Sequence, residues 1–139
     1  MDLFVIIIDL DEQGKEVTSE GTLGQLGDPV ARGWLRLSHR AWDEERSLPY
    51  RPMHRHEVPE LLVPDEIVPA VVEILPTSRV FGKGHRLGLV LQAADRNDPT
   101  EFLHNDPVDR DLAVFAGTHR IHSGGEQPSY LLLPVIPSA

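Results

Sequence analysis

The sequence predicts an all-β domain built as two packed antiparallel sheets of jelly-roll or Greek-key type. Three observations carry that prediction. Apolar residues alternate at period two in several runs, most clearly at Val68, Ala70, Val72 and Ile74 and again at Leu87, Leu89 and Leu91, which is the pattern of half-buried strands. Twelve Pro and eleven Gly in 139 residues favour many turns over long helices. No run shows the helical period, and about seven short strands separated by turn signals are the mark of a β-sandwich.

Taken in order, residues 3–8 are a continuous apolar run, with no basic segment before it and Asp9 and Asp11 after it. A signal peptide and a membrane span both fail to fit, whereas a buried strand fits; the compartment stays unassigned, the cytoplasm being the default. Asp11-Glu12-Gln13-Gly14-Lys15 is expected to turn with Gly14 at positive φ, and residues 16–23 to return antiparallel, anchored by Val17. Gly21, Gly24, Gly27 and Asp28-Pro29 then loosen the chain. Residues 33–39 alternate again, placing Trp34, Arg36 and Ser38 on one face and Leu35 and Leu37 on the other.

Residues 41–64 are polar and interrupted by Pro49, Pro52, Pro59 and Pro64. They are expected to form a long loop that clings to a surface through Trp42, Tyr50 and Met53. The strands at 68–74 and 87–91 are joined by a crossover, in which Pro76, Gly82 and Gly84 supply turn geometry and Val80 and Phe81 an apolar plug. A second long loop spans 95–111, with Asp98 and Asp106 each held extended by the proline that follows. Residues 111–122 and 128–135 close the fold as a hairpin across Ser123-Gly124-Gly125-Glu126. The expected core is Leu87, Leu89 and Leu91 against Val68, Val72 and Ile74.

Bulk properties bound the function. A chain of 139 residues is expected to be one domain, 1–139, large enough to bury a sizeable core. Its net charge of −9, with 13 scattered basic residues, argues against nucleic acid and anionic membranes as partners. The absence of cysteine excludes disulfides and thiolate metal sites.

Motifs that carry chemistry are weak. Asp9, Asp11, Gln13, Gly14 and Glu20 nearly match a calcium loop, but a strand where a helix should stand makes an acidic hairpin the better reading. His54 and His56 lie in a Pro-rich loop without a Cys or third spaced ligand, and His119 and His122 would point to opposite faces of a strand. Ser38-His39 and His122-Ser123 are adjacent pairs that face opposite ways in a strand, and no serine has the Gly-x-Ser-x-Gly setting of a nucleophile. No catalytic, cofactor-binding or metal-ligating residue is assigned.

Four stretches, in order, carry a resemblance: Gly33-Trp34-Leu35-Arg36-Leu37-Ser38-His39-Arg40-Ala41; Pro76-Thr77-Ser78-Arg79-Val80-Phe81-Gly82-Lys83-Gly84-His85-Arg86-Leu87; Asn105-Asp106-Pro107; and Ser129-Tyr130-Leu131-Leu132-Leu133-Pro134-Val135-Ile136-Pro137. Together they resemble the C-terminal domain of the X-Pro dipeptidyl-peptidase family, shared with cocaine esterase, α-amino acid ester hydrolases and related CocE/NonD serine hydrolases. The resemblance extends over residues 3–137. It implies a jelly-roll, galactose-binding-like sandwich that packs against an α/β-hydrolase domain, itself absent from this chain. The resemblance enters at an internal strand, so a fragment lacking its first strands is expected.

No member of the family's catalytic triad maps onto this chain, which is expected to be inactive alone. The alternative is a stand-alone jelly roll binding carbohydrate or peptide through its long loops. Lost opening strands also predict a homodimer, through exposed edges beside residues 3–8 and around Trp34 and Trp42.

Overall fold

A computed structural model describes residues 1–20, 26–93, 111, 113 and 116–134. Its regular elements are the strands β1 (Asp2–Leu10), β2 (Ser19–Glu20), β3 (Leu26–Asp28), β4 (Ala31–Arg36) and β5 (Arg86–Gln92), with one turn of 3-10 helix at Leu37–His39. The described structure is therefore strand with almost no helix, as the composition predicts.

The organising element is β1. It lies at the centre of a three-stranded antiparallel sheet of order β4-β1-β5, with Leu3 opposite Leu35, Val5 opposite both Gly33 and Leu91, and Ile7 opposite Leu89. A strand with neighbours on both sides and cover on both faces has no place for polar alternation, which is why residues 3–8 read as an unbroken apolar run. Among the described residues Ile6 is the most enclosed apolar side chain, 1% exposed. Leu3, Val5, Leu35 and Leu37 form a buried cluster flanked by Met1, Leu62, Val72 and Ile74. Each such side chain contributes about 1.5–3 kcal/mol on leaving water.

After β1 the chain turns as expected. Gly14 has φ 82°, its N–H donates to the Asp11 carbonyl, and the Asp11 carboxylate accepts from the amides of Gln13 and Lys15. The return is shorter than predicted. Glu16 bridges Leu10 and the Val17 amide donates to the Asp9 carbonyl, after which residues 19–20 leave β1 and pair with β3.

The strand expected at 33–39 begins two residues earlier and ends at Arg36, where the 3-10 turn takes over. The facing was read correctly for Leu35 and Leu37, both buried, and for Trp34, which is exposed. Ser38 is buried because it lies in the turn and no longer alternates with Trp34 and Arg36.

Several expectations need correction. Residues 68–74 form no ladder; they run extended beside β4, tied by the Leu75 amide to the Arg32 carbonyl. Gly33 admits this approach, since a Cβ there would strike the Glu73 carbonyl. Val72 and Ile74 do reach the core, so their alternation recorded facing without recording a hydrogen-bond partner. Leu87, Leu89 and Leu91 lie in β5 but form no core: all three are exposed, Leu89 by 45%. Among the described residues, β5 pairs with β1 alone, and its leucines keep about two fifths of their surface in solvent, at 39–45% exposed.

In the crossover Gly84 takes φ 82° as expected, whereas the proposed plug fails, since Val80 is exposed and Phe81 is half-buried. The closing turn is present, with Gly124 and Gly125 at positive φ and the Gln127 amide donating to the Gly124 carbonyl. The described residues flanking it form no strands. The second long loop falls almost wholly outside the described residues.

Candidate functional site

Two clusters of polar side chains are built on β1, one at each end. At the far end Asp9 is 2% exposed, yet ionisable. Its Oδ1 accepts from His85 Nδ1 at 2.8 Å and its Oδ2 from Arg79 at 3.4 Å. Arg79 also reaches the Val17 carbonyl at 3.5 Å. Both partners come from the crossover, so a single buried carboxylate fastens residues 79–85 to the sheet. A buried carboxylate requires such partners, and sequence reading missed them because 70 and more residues separate the pairs. Asp9 and Asp11 thus serve the crossover and the hairpin turn, the roles of an acidic hairpin.

At the near end Asp2, 4% exposed, accepts from Arg36 Nε at 2.9 Å, the residue directly opposite it on β4. Beside this pair opens a cavity of about 380 Å³ whose apolar walls include Phe4 and Trp34 and whose polar rim is His39, His54 and His56. The imidazoles arrive from two segments. His39 ends the 3-10 turn; His54 and His56 lie on the returning arm of the 41–64 loop. That arm is zipped to the outgoing one by amide donation from Asp43 to Met53 (2.8 Å) and from Arg55 to Ala41 (3.0 Å), with Trp42 bridged to His54. Of the predicted loop anchors, Trp42 and Met53 are half-buried as expected, while Tyr50 is exposed.

Ring centroids stand 5.3 Å apart for His39 and His56 and 5.9 Å for His54 and His56. Burial, and then the charges that His39 and His54 would carry, hold the His56 imidazole below the usual histidine range. His56 also has φ 53°, a conformation that non-glycine residues seldom adopt. His54 Nε2 lies 3.1 Å from the Val71 carbonyl, which fixes the proton on that nitrogen in the neutral ring.

Sequence reading had paired His54 with His56 but not with His39. Among the described residues no three His, Asp or Glu side chains are arranged to hold a metal ion. His119 and His122 are exposed, away from this cluster; the His122 carbonyl accepts from Ser129 Oγ. Ser38 is buried and its carbonyl accepts from the Glu60 amide. No helix among the described residues is long and apolar enough to cross a membrane.

Comparison with known proteins gives the site its setting. Residues 1–132 match the X-Pro dipeptidyl-peptidase C-terminal non-catalytic domain. The chain belongs to that family. Cocaine esterase of Rhodococcus sp. (strain MB1 Bresler) is 32% identical over 84 residues, covering 56% of this chain and 14% of that enzyme. A solved CocE/NonD family hydrolase from Staphylococcus aureus is 41% identical, with a TM-score of 0.64, over 68% of this chain and 17% of that one. A second structure of the same hydrolase at 1.95 Å gives a TM-score of 0.63. The chain spans 14% to 17% of the length of these relatives. That family is described as a non-catalytic C-terminal domain.

Proposed function

We propose that residues 1–139 are the non-catalytic C-terminal domain of a CocE/NonD-type serine hydrolase, an X-Pro dipeptidyl-peptidase, esterase or α-amino acid ester hydrolase. In this reading the domain is a jelly-roll, galactose-binding-like sandwich that packs against an α/β-hydrolase domain. The match over residues 1–132 carries the proposal. A second support is the apolar row Leu87, Leu89 and Leu91, exposed on β5 beside the buried Val5 and Ile7 of β1, with which Leu91 and Leu89 are in register. Contiguous exposed apolar area of this kind marks an interaction surface, and the catalytic domain is the occupant that the family implies. A second copy of the chain is the competing occupant.

The experiment is sedimentation of the purified chain, alone and mixed with a CocE/NonD hydrolase truncated before its own C-terminal domain. A one-to-one complex is expected from the mixture, whether the chain alone sediments at 15.5 kDa or as the homodimer that its exposed edges suggest. A dimer of the chain that ignores the truncated hydrolase would assign the leucine face to self-association and overturn the proposal. Given ester and X-Pro chromogenic substrates, the chain alone should show no turnover above buffer; saturable activity blocked by a serine-directed inhibitor would equally overturn it.

A further inference from the structure

β1 has a neighbour on either side, and the outer side of β4 is approached by residues 68–75, whose Leu75 amide donates to the Arg32 carbonyl. Among the described residues the open edge of the sheet is therefore that of β5. Register decides which backbone groups this edge offers. The Met1 and Ile7 carbonyls accept from the amides of Leu37 and Val30, which flank β4, so the odd residues of β1 turn their backbone toward β4 and the even ones toward β5. The β5 partners of the even residues, Arg86, Gly88, Val90 and Gln92, face β1 in turn. Leu87, Leu89 and Leu91 then direct their N–H and C=O groups outward, and no backbone hydrogen bond reaches them there among the described residues.

An open edge is a template for another strand. This one carries few of the usual devices against pairing: it has no proline, its register with β1 is unbroken, and its one charge, Arg86, stands at the first position. It is also its own complement. Laid antiparallel on a second copy about Leu89, it puts Leu89 opposite Leu89, Leu87 opposite Leu91, Gly88 opposite Val90 and Arg86 opposite Gln92. The three leucines then fall in the pairs that exchange both N–H···O=C bonds, so every outward group is satisfied. Any other register leaves at least one of them without a partner inside the strand. The net charge of −9 works against self-association, but β5 contains no carboxylate and this register sets no like charges opposite each other.

We propose that two copies of the chain join through β5 in this register, forming one sheet of order β4-β1-β5-β5-β1-β4 with a two-fold axis at Leu89. The contact is isologous, each copy offering the same edge to the other. It uses the edge of β5 and not its leucine face, so it stands apart from the docking of a catalytic domain on that face. Across the axis the leucine rows of the two copies meet side by side and form a single apolar strip.

Cysteine cross-linking of the whole chain tests the register. The sequence has no cysteine, so each introduced thiol is the only one in its chain. In a pair that exchanges both bonds the Cα atoms are about 5.5 Å apart, inside the disulfide range of about 4.4–6.8 Å. Position 87 and its own copy are offset by about 14 Å along the strand. Under mild oxidation Leu89→Cys should convert to a covalent dimer, as should an equimolar mixture of Leu87→Cys with Leu91→Cys. Leu87→Cys or Leu91→Cys alone should cross-link about tenfold more slowly or less. The parent chain should sediment at twice 15.5 kDa. Equal cross-linking of all three single variants, or a parent chain that stays monomeric at high micromolar concentration, would overturn the proposal.

Discussion

Asp2 and Asp9 sit at opposite ends of one strand, both buried and both ion-paired, yet the histidines around them are placed differently. At Asp9 the carboxylate meets a histidine and an arginine from the crossover. At Asp2 the carboxylate meets Arg36 across the ladder, while neither His54 nor His56 has a carboxylate within salt-bridge distance among the described residues. At the first end acid faces base; at the second three imidazoles face one another beside a cavity, with His56 at positive φ. The same residue types therefore make a fastening at one end and line a cavity at the other, and the placement of one carboxylate decides which.

The comparison is broken most severely at Asp9. Replacing Asp9 with Ala leaves His85 and Arg79 without their shared partner, and removing one member of a buried pair costs about 3–5 kcal/mol. Urea denaturation should show this loss; a midpoint within error of the parent would mean that the fastening is an ornament of the fold. Next comes Ile6→Ala in the middle of β1, where a fully enclosed side chain is lost at about 2–5 kcal/mol.

Leu89→Ala sharpens the contrast by doing little. Sequence reading assigned this leucine to the core and hence a similarly large loss; its exposure lowers the expected cost in the chain alone to about 0.5 kcal/mol. A loss as large as that of Ile6→Ala would show that its face is covered in the free chain.

At the Asp2 end the expected signal is a pH dependence. His56 is held below its ordinary range when folded, so between the two values the unfolded chain binds more protons than the folded one. Stability contributed by this group is then lost as pH falls from the ordinary histidine value, about 6.5, toward the depressed one, and is fully present above it. Comparing denaturation midpoints at pH 5.5 and 7.5, His56→Gln should show a smaller drop on acidification than the parent. An unchanged drop would assign the effect to other groups.

Much of the strand content was legible because apolar facing leaves a direct trace. The run 3–8, the alternation of Leu35 and Leu37, and the glycine turn at Gly14 each depend on neighbours in sequence. What failed was pairing. Residues 68–74 and 87–91 both alternate, and alternation cannot say that one runs beside β4 without a ladder while the other joins β1 and leaves its leucines bare. The candidate site was opaque for the same reason: His39 and His54 are joined only through the loop that folds back, and Asp9 and His85 only through the sheet. Family motifs, by contrast, were readable at once, because they preserve order even where the partners they serve lie far apart.

The docking of the β5 leucine face is tested most directly by hydroxyl-radical footprinting of the chain, alone and in complex with the truncated hydrolase. Leu87, Leu89 and Leu91 should be oxidised readily in the free chain and protected in the complex, with Ile6 protected in both. A complex that forms while these three leucines stay as reactive as before would contradict the docking face and, with it, the account of why the β5 leucines are exposed.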